Sequence, residues 1–315
     1  MRAITLQNGK LQFDAERPTP AISEGSVRVR VLQAGICETD LQLVSGYMGF
    51  EGVLGHEFVG IAESGRYEGQ RVVGEINCVC NNCELCKNGH GNHCPNRTVI
   101  GILNHDGAFA DYVAVPEENL HFVPDSISND EATLVEPIAA ALRIPEQVDL
   151  VSGMRSIVVG DGRLGNLCAQ VLQQAKTDVT VLGKHSDKLN TFEDMGIATC
   201  LLSNIDELDS AELVVDCAGS SSGLQTAVSL VKPLGTVVMK TTVAEEHSLP
   251  LAPIVINEIR LAGSRCGPFD KAIQSLTEKQ FRLNNFVSGR YPIEQFATAF
   301  SHAKQKDALK VMLET

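Results

Sequence analysis

The sequence predicts an α/β chain in two parts: a mainly β part built from both ends of the chain, and a doubly wound parallel-sheet domain inserted between them. Three observations predict it. Short alternating strands fill the chain up to about residue 125, strand and helix alternate regularly from about residue 145, and a G-x-G-x-x-G turn joins the first strand of that alternation to its first helix. The expected boundaries are 1–136 with 269–315 for the β part and 137–268 for the inserted domain. At 315 residues the chain exceeds one comfortable hydrophobic core, so two domains of about 150 residues each are expected.

In the first part, SVRVRVLQA and DYVAVP alternate with period two and are separated by the Gly, Pro and Asn clusters of turns. In the inserted part, SIVVG reads as a compact apolar strand and LGNLCAQVLQQA as a helix. VTVLG, ELVVDCAG and GTVVMK follow as further strands, the order of a parallel sheet. Helical patterns around KAIQSLTEKQ and IEQFATAFSHAKQ precede a strand-like ALKVMLE, which is expected to return to the first part. There is no internal repeat or low-complexity tract.

Composition excludes several classes of function. Hydrophobic residues at 43% and charged residues at 21% match ordinary globular chains rather than disordered or fibrous ones. No apolar run approaches the roughly 18 residues that span a bilayer, and the start MRAITLQNGKLQF lacks a basic segment followed by an apolar one. A cytoplasmic protein without a membrane partner is therefore expected. A formal charge of −13 opposes binding to nucleic acid, which needs a concentrated Lys/Arg field.

Four of the ten cysteines crowd between Cys80 and Cys94. Cys80, Cys83 and Cys86 stand in C-x-x-C-x-x-C spacing, Cys94 follows after seven residues, and Asn and Gly between them permit tight turns. Four thiolates close a tetrahedral zinc site with no position left for substrate, so this metal is read as structural. Disulfides this dense are rare in a reducing compartment. Cys78, His90 and His93 lie nearby as secondary candidates.

A second group of ligand types lies upstream. GICETDLQLVSGY places Cys37 beside Thr39 and Asp40, and VLGHEFVG places His56 beside Glu57. On their own Cys37 and His56 read more commonly as a buried cysteine and a satisfied core histidine, and Thr39 with Asp40 as a helix N-cap pair.

The turn GDGRLG carries Gly160, Gly162 and Gly165 between SIVVG and its helix, with Arg163 and Leu164 inside the motif. Gly160 allows the turn, Gly162 the close approach of a pyrophosphate and Gly165 tight helix packing, while amides at the helix start meet negative charge. A dinucleotide is the expected cofactor. At the end of the next strand, where an acid would bind the adenine ribose 2′-hydroxyl, stand Gly183, Lys184 and His185. A missing acid removes repulsion of a 2′-phosphate, and two cationic side chains can pair with one, so NADP is favoured over NAD. DCAGS, including Ala218 and Gly219, and VMKTT around Lys240 end strands on the cofactor side.

Taken together, GICETDL, GHEFVG, the four-cysteine lobe, LVEPIAAAL and the Gly-rich turn resemble, in order and from end to end, the zinc-containing medium-chain dehydrogenases/reductases of the alcohol dehydrogenase type. The sorbitol, threonine and glucose dehydrogenase-like branch is the most similar, because a glutamate, here Glu136, stands where other branches have a second cysteine. The resemblance implies a GroES-like catalytic domain and a Rossmann domain, one catalytic and one structural zinc, a nicotinamide cofactor and a homo-oligomer, dimer or tetramer. It implies Cys37 and His56 as zinc ligands, with Glu57 and Glu136 each either binding the metal or holding its water. It also implies Thr39 as the hydroxyl that meets the substrate oxygen and Asp40 as the carboxylate that orients the histidine. Zinc supplies the Lewis acidity that lets a neutral alcohol lose its proton.

One departure concerns the proton relay: where alcohol dehydrogenases often carry a histidine, this chain has Gln42, which does not titrate. The expected activity is hydride transfer between an alcohol or polyol, preferably secondary, and the nicotinamide cofactor. Tyr47, Met48, Phe50, Asn104 and Phe109 are candidate pocket-lining residues. A zinc-free reductase on the same fold lacks these paired zinc signatures. A non-catalytic NADPH- and zinc-binding sensor is the alternative of a different class.

Overall fold

The computed structural model describes residues 1–241 and 249–315. By compactness the chain divides into two units: Met1–Glu136 with Ala272–Glu278 and Leu283–Thr315, and Pro137–Lys271 with Lys279–Arg282.

The first unit is built on a seven-stranded sheet whose central strand, Ser26–Ile36, is the long alternating SVRVRV segment. Val27, Val29 and Val31 are buried while Arg28 and Arg30 are not, the period-two signature of a strand with one wet face. Beyond a register shift between Val31 and Gln33 the strand is buried to its end. Strand Glu57–Ala62 pairs along one side, with Glu57 opposite Gly35. Strand Lys310–Glu314 pairs along the other, with Val311 opposite Ile36, so the chain's last strand closes the sheet of its first part. These three neighbouring strands bring Cys37, Glu57 and Lys310 to one end of the sheet.

Phe109, expected as a pocket-lining residue, is instead fully buried core. Its ring lies where a Cβ on Gly55 would stand, 2.4 Å from the nearest ring atom, and meets Phe300 edge to face at 5.9 Å. Phe50 is buried as well, whereas Met48 is half exposed.

The second unit is a six-stranded parallel sheet: β1 (Arg155–Val159), β2 (Asp178–Gly183), β3 (Ala198–Leu201), β4 (Ala211–Asp216), β5 (Val231–Met239) and β6 (Arg260–Gly263). Its spatial order is 3-2-1-4-5-6, the doubly wound arrangement that reverses direction next to β1. The apolar runs IVV, VL and LVV are buried because helices cover both faces of a parallel sheet. Helix α1 (Arg163–Gln174) follows β1, α2 (Ser186–Asp194) follows β2 and α3 (Ser221–Leu230) follows β4. The edge strands β3 and β6 do not stand out in the sequence, since ATCL and RLAG are short and largely solvated. Of the VMKTT segment, Thr242 lies outside the described residues.

Candidate active site

Cys37 ends the central strand and begins helix Glu38–Val44, a position set by a capping contact: its backbone N–H donates to Asp40 Oδ2 at 2.8 Å. The same turn puts Thr39 Oγ1 3.9 Å from Cys37 Sγ. His56 and Glu57 arrive from the neighbouring strand, and one ligand atom from each of Cys37, His56 and Glu57 lies within 4.8 Å of the others. Both acidic and imidazole members are buried.

Asp40 Oδ1 and His56 Nδ1 approach to 3.4 Å, an electrostatic contact without hydrogen-bond alignment, and both atoms are buried with no hydrogen-bond partner among the described residues. Nδ1 faces Asp40, so Nε2 is the nitrogen left for a metal. Burial disfavours a charged imidazole, but Asp40 and Cys37 outweigh it and hold His56 well above the ordinary histidine value. A half-buried thiol, a buried imidazole and buried carboxylates that together attract positive charge are a donor set that fits zinc.

Lys310, which the sequence reading passed over, is buried to 1% exposure and donates from Nζ to Glu57 Oε2 and, at 3.4 Å, to the Ile36 carbonyl. Room for this pair comes from Gly35: a Cβ there would stand 2.7 Å from Glu57 Oε2 and 3.2 Å from Lys310 Cδ. The available signal was a lysine standing directly before the apolar run VML of the closing strand KVMLE. Glu136 sits in the first turn of helix Val135–Leu142 and is not brought into the three-residue cluster. Gln42 donates to Glu38 Oε1 at 3.0 Å.

The four-cysteine lobe gathers as its spacing implies. Sγ–Sγ distances are 3.4 Å for Cys83–Cys86, 3.8 Å for Cys83–Cys94 and 3.4 Å for Cys80–Cys94. Sulfurs about 2.3 Å from a shared tetrahedral zinc stand about 3.8 Å apart, while a disulfide holds its sulfurs at about 2.05 Å. Backbone amides of Asn82 and Cys83 and the Asn96 side chain stabilise the Cys80 thiolate and pull its pKa down to about 6. Cys78, His90 and His93 stay outside this cluster, and burial pushes the Cys78 thiol up to about 11.

In the second unit, Gly160 has φ +123° and a Cβ on it would meet the Cys217 carbonyl at 2.6 Å. A Cβ on Gly165 would strike the Gly160 carbonyl at 2.1 Å, so helix and turn pack through missing side chains. Gly162, the N-cap of α1, faces open space: a Cβ there meets nothing within 4 Å. Arg163 and Leu164 open the helix behind it. This bare, amide-lined opening fits a pyrophosphate. Ala218 and Gly219 follow β4, with the Gly219 N–H donating to Thr241 Oγ1 at 3.1 Å. Lys240 is buried, and its ammonium donates to the Ala140 carbonyl.

Gly183 ends β2 and is followed by Lys184 and His185. An acid does reach this strand end, from the Gly-rich turn: Asp161 Oδ2 accepts from the backbone N–H groups of Lys184 and His185, both at 2.8 Å, and lies 3.0 Å from His185 Nδ1.

A thiol–imidazole–carboxylate cluster at a sheet end, a four-sulfur lobe and a dinucleotide turn define a zinc- and nucleotide-binding oxidoreductase. The alcohol dehydrogenase GroES-like domain family matches residues 23–125, and the zinc-binding dehydrogenase family matches residues 164–279. The chain is 27% identical to a sorbitol dehydrogenase of Halalkalibacterium halodurans over 98% of each chain. Its fold matches an Escherichia coli alcohol dehydrogenase (rspB) complexed with NADH at TM-score 0.90 and 26% identity, covering 100% of this chain and 99% of the other. It also matches the alcohol dehydrogenase TADH from Thermus sp. ATN1 at TM-score 0.89 and 25% identity, over 100% and 99%. The chain belongs to the zinc-containing, alcohol dehydrogenase-like medium-chain dehydrogenases/reductases, with a GroES-like and a Rossmann-like domain.

Proposed function

We propose that the chain catalyses reversible hydride transfer between a secondary alcohol or polyol and a nicotinamide dinucleotide, using one catalytic and one structural zinc. The observation that carries this reading is the convergence of Cys37, His56 and Glu57 within 4.8 Å in a buried pocket that attracts positive charge. Likeness to a sorbitol dehydrogenase supports the polyol class.

Cys37, His56 and a carboxylate hold the catalytic zinc; Glu57 is the carboxylate already beside them, and Glu136 is the second candidate. When bound, the metal would supply Lewis acidity toward the substrate hydroxyl and the nicotinamide dinucleotide would supply the hydride acceptor. The Thr39 hydroxyl would hydrogen-bond the substrate oxygen and position it. Asp40 sets the orientation of His56. Lys310 fixes the Glu57 carboxylate at the edge of the cluster. Gln42, engaged with Glu38, takes no part in proton release, which passes through a carboxylate, water or the cofactor ribose.

Cys80, Cys83, Cys86 and Cys94 would hold the structural zinc, and such a thiolate lobe supports the reading of a reducing compartment, the cytoplasm. Among the described residues no helix is long and apolar enough to cross a membrane. The chain works as a homo-oligomer, supported by the edge of β6, which pairs with no further strand among the described residues, and by Leu234, Leu251, Val255 and Ile256, exposed at 71%, 66%, 74% and 78%. Sedimentation of the protein as a monomer would contradict this. The expectation of NADP rested on an empty strand end after β2, which Asp161 fills.

The test is zinc content per chain together with NAD- and NADP-linked oxidation of primary, secondary and polyhydric alcohols. Two zincs with turnover of secondary alcohols or polyols are expected; one zinc without turnover would refute the enzyme and favour a cofactor-binding sensor.

A further inference from the structure

The acid that doubly wound dinucleotide domains carry at the end of their second strand is absent from the sequence of β2, yet a carboxylate occupies its space. Gly183 makes the room. A Cβ built on it would stand 2.8 Å from both Cβ and Oδ2 of Asp161, closer than real contacts allow, so Asp161 lies where a strand-end side chain would begin. Asp161 is itself only 8% exposed and is held there by the amides of Lys184 and His185 and by the His185 ring. A Cβ on Gly183 would also stand 2.8 Å from Leu189 Cδ2, so the bare strand end accommodates both the Asp161 carboxylate and the first apolar side chain of α2.

From this geometry we infer that Asp161 is the residue that selects the dinucleotide, favouring the adenine ribose diol of NAD(H) and disfavouring the 2′-phosphate of NADP(H). The inference rests on the oxidoreductase reading above. A buried carboxylate beside the strand end accepts from a ribose hydroxyl and repels a phosphate dianion. The two cations that favoured NADP in the sequence are also altered by the fold. The His185 ring lies with Nδ1 3.0 Å from Asp161 Oδ2, so it is engaged with that carboxylate, and Lys184 is the other basic side chain at the strand end. A purely structural reading also exists, in which Asp161 only ties the β2–α2 turn through its two amide contacts.

The two readings part on charge. Asp161→Asn keeps a carbonyl oxygen for the amides and removes the negative charge. The assay is direct binding, by quenching or enhancement of reduced-nicotinamide fluorescence, of NADH and NADPH to the zinc-loaded wild type and to the variant. The wild type is expected to bind NADH about tenfold or more tighter than NADPH, and Asp161→Asn to shrink that ratio by about tenfold, mainly through tighter NADPH binding. A second variant, Asp161→Gly with Gly183→Asp, returns the acid to the strand and is expected to restore the NADH preference even if Asp161→Asn folds poorly. Equal or tighter NADPH binding by the wild type, or an unchanged ratio in Asp161→Asn, overturns the inference while leaving the oxidoreductase reading standing. Binding of neither dinucleotide by the wild type overturns both.

Discussion

Replacing Lys310 by methionine tests a fully buried ion pair in the first unit. Lys310 and Glu57 are each 1% exposed, they pair with one another, and methionine retains the length of the lysine stem while deleting its ammonium. The carboxylate left behind is buried beside the same glycine wall, with Gly35 offering no side chain to replace the lost donor. Breaking a buried pair by removing one partner costs about 3–5 kcal/mol, because the remaining charge keeps its desolvation penalty without its counterion. Replacing both partners by apolar side chains of similar size removes that penalty, so Lys310→Met with Glu57→Met should recover most of the loss. The two-unit chain does not guarantee a single unfolding transition, and a local readout is needed. Hydrogen exchange of amides in Ser26–Ile36 and Lys310–Glu314 supplies one, with protection in Lys310→Met expected to fall by between about a hundred and a few thousand fold. A loss under about 1 kcal/mol in the single variant, or a double variant as unstable as the sum of its singles, would refute the reasoning.

Three further outcomes are expected. Cys94→Ser should reduce bound zinc to one per chain while leaving Cys37 and His56 loaded; loss of both metals together would show that the two sites are not independent. Glu136→Gln should lower turnover by about a hundredfold, the scale of a lost proton-transfer group, whereas Gln42→Ala should change it less than about threefold. Near-normal rates in both would remove Glu136 from the mechanism. Asp130 is partly desolvated, which pushes its pKa up, but Arg290 and Gln33 outweigh this and hold it below the ordinary carboxylate value. Because the folded value is depressed, the stability it contributes is present above the unfolded value of about 3.9 and lost only as pH falls through the folded one. Asp130→Asn should therefore cost under about 1 kcal/mol, equally at pH 8 and pH 5 in urea unfolding; a deficit that changes across that window would implicate another group.

The sequence by itself determined what is local. Chelation by Cys80, Cys83, Cys86 and Cys94 was readable because ligands three residues apart in a Gly- and Asn-rich turn can hardly avoid one another. The dinucleotide turn was readable because its three glycines stand at fixed offsets between a strand and a helix, although only Gly165 answers a neighbour in sequence, its Cβ striking the Gly160 carbonyl, while the clash at Gly160 comes from distant Cys217. The alternation SVRVRV and the buried runs IVV and LVV carried the fold class, since their periods follow directly from strand geometry. The edge strands β3 and β6 escaped because edges are half solvated and leave no apolar period. Phe109 was misjudged because an aromatic near a turn looks the same in sequence whether it lines a pocket or plugs the space over Gly55. What only the tertiary structure decided is pairwise and distant in sequence. Sheet register brings Lys310 against Glu57, 253 residues away, and a strand-to-loop contact brings Asp161 to the end of β2, 23 residues away. Such pairs are fixed by the long-range register of strands and by the space a glycine leaves empty, and neither quantity is written in the local pattern of either partner.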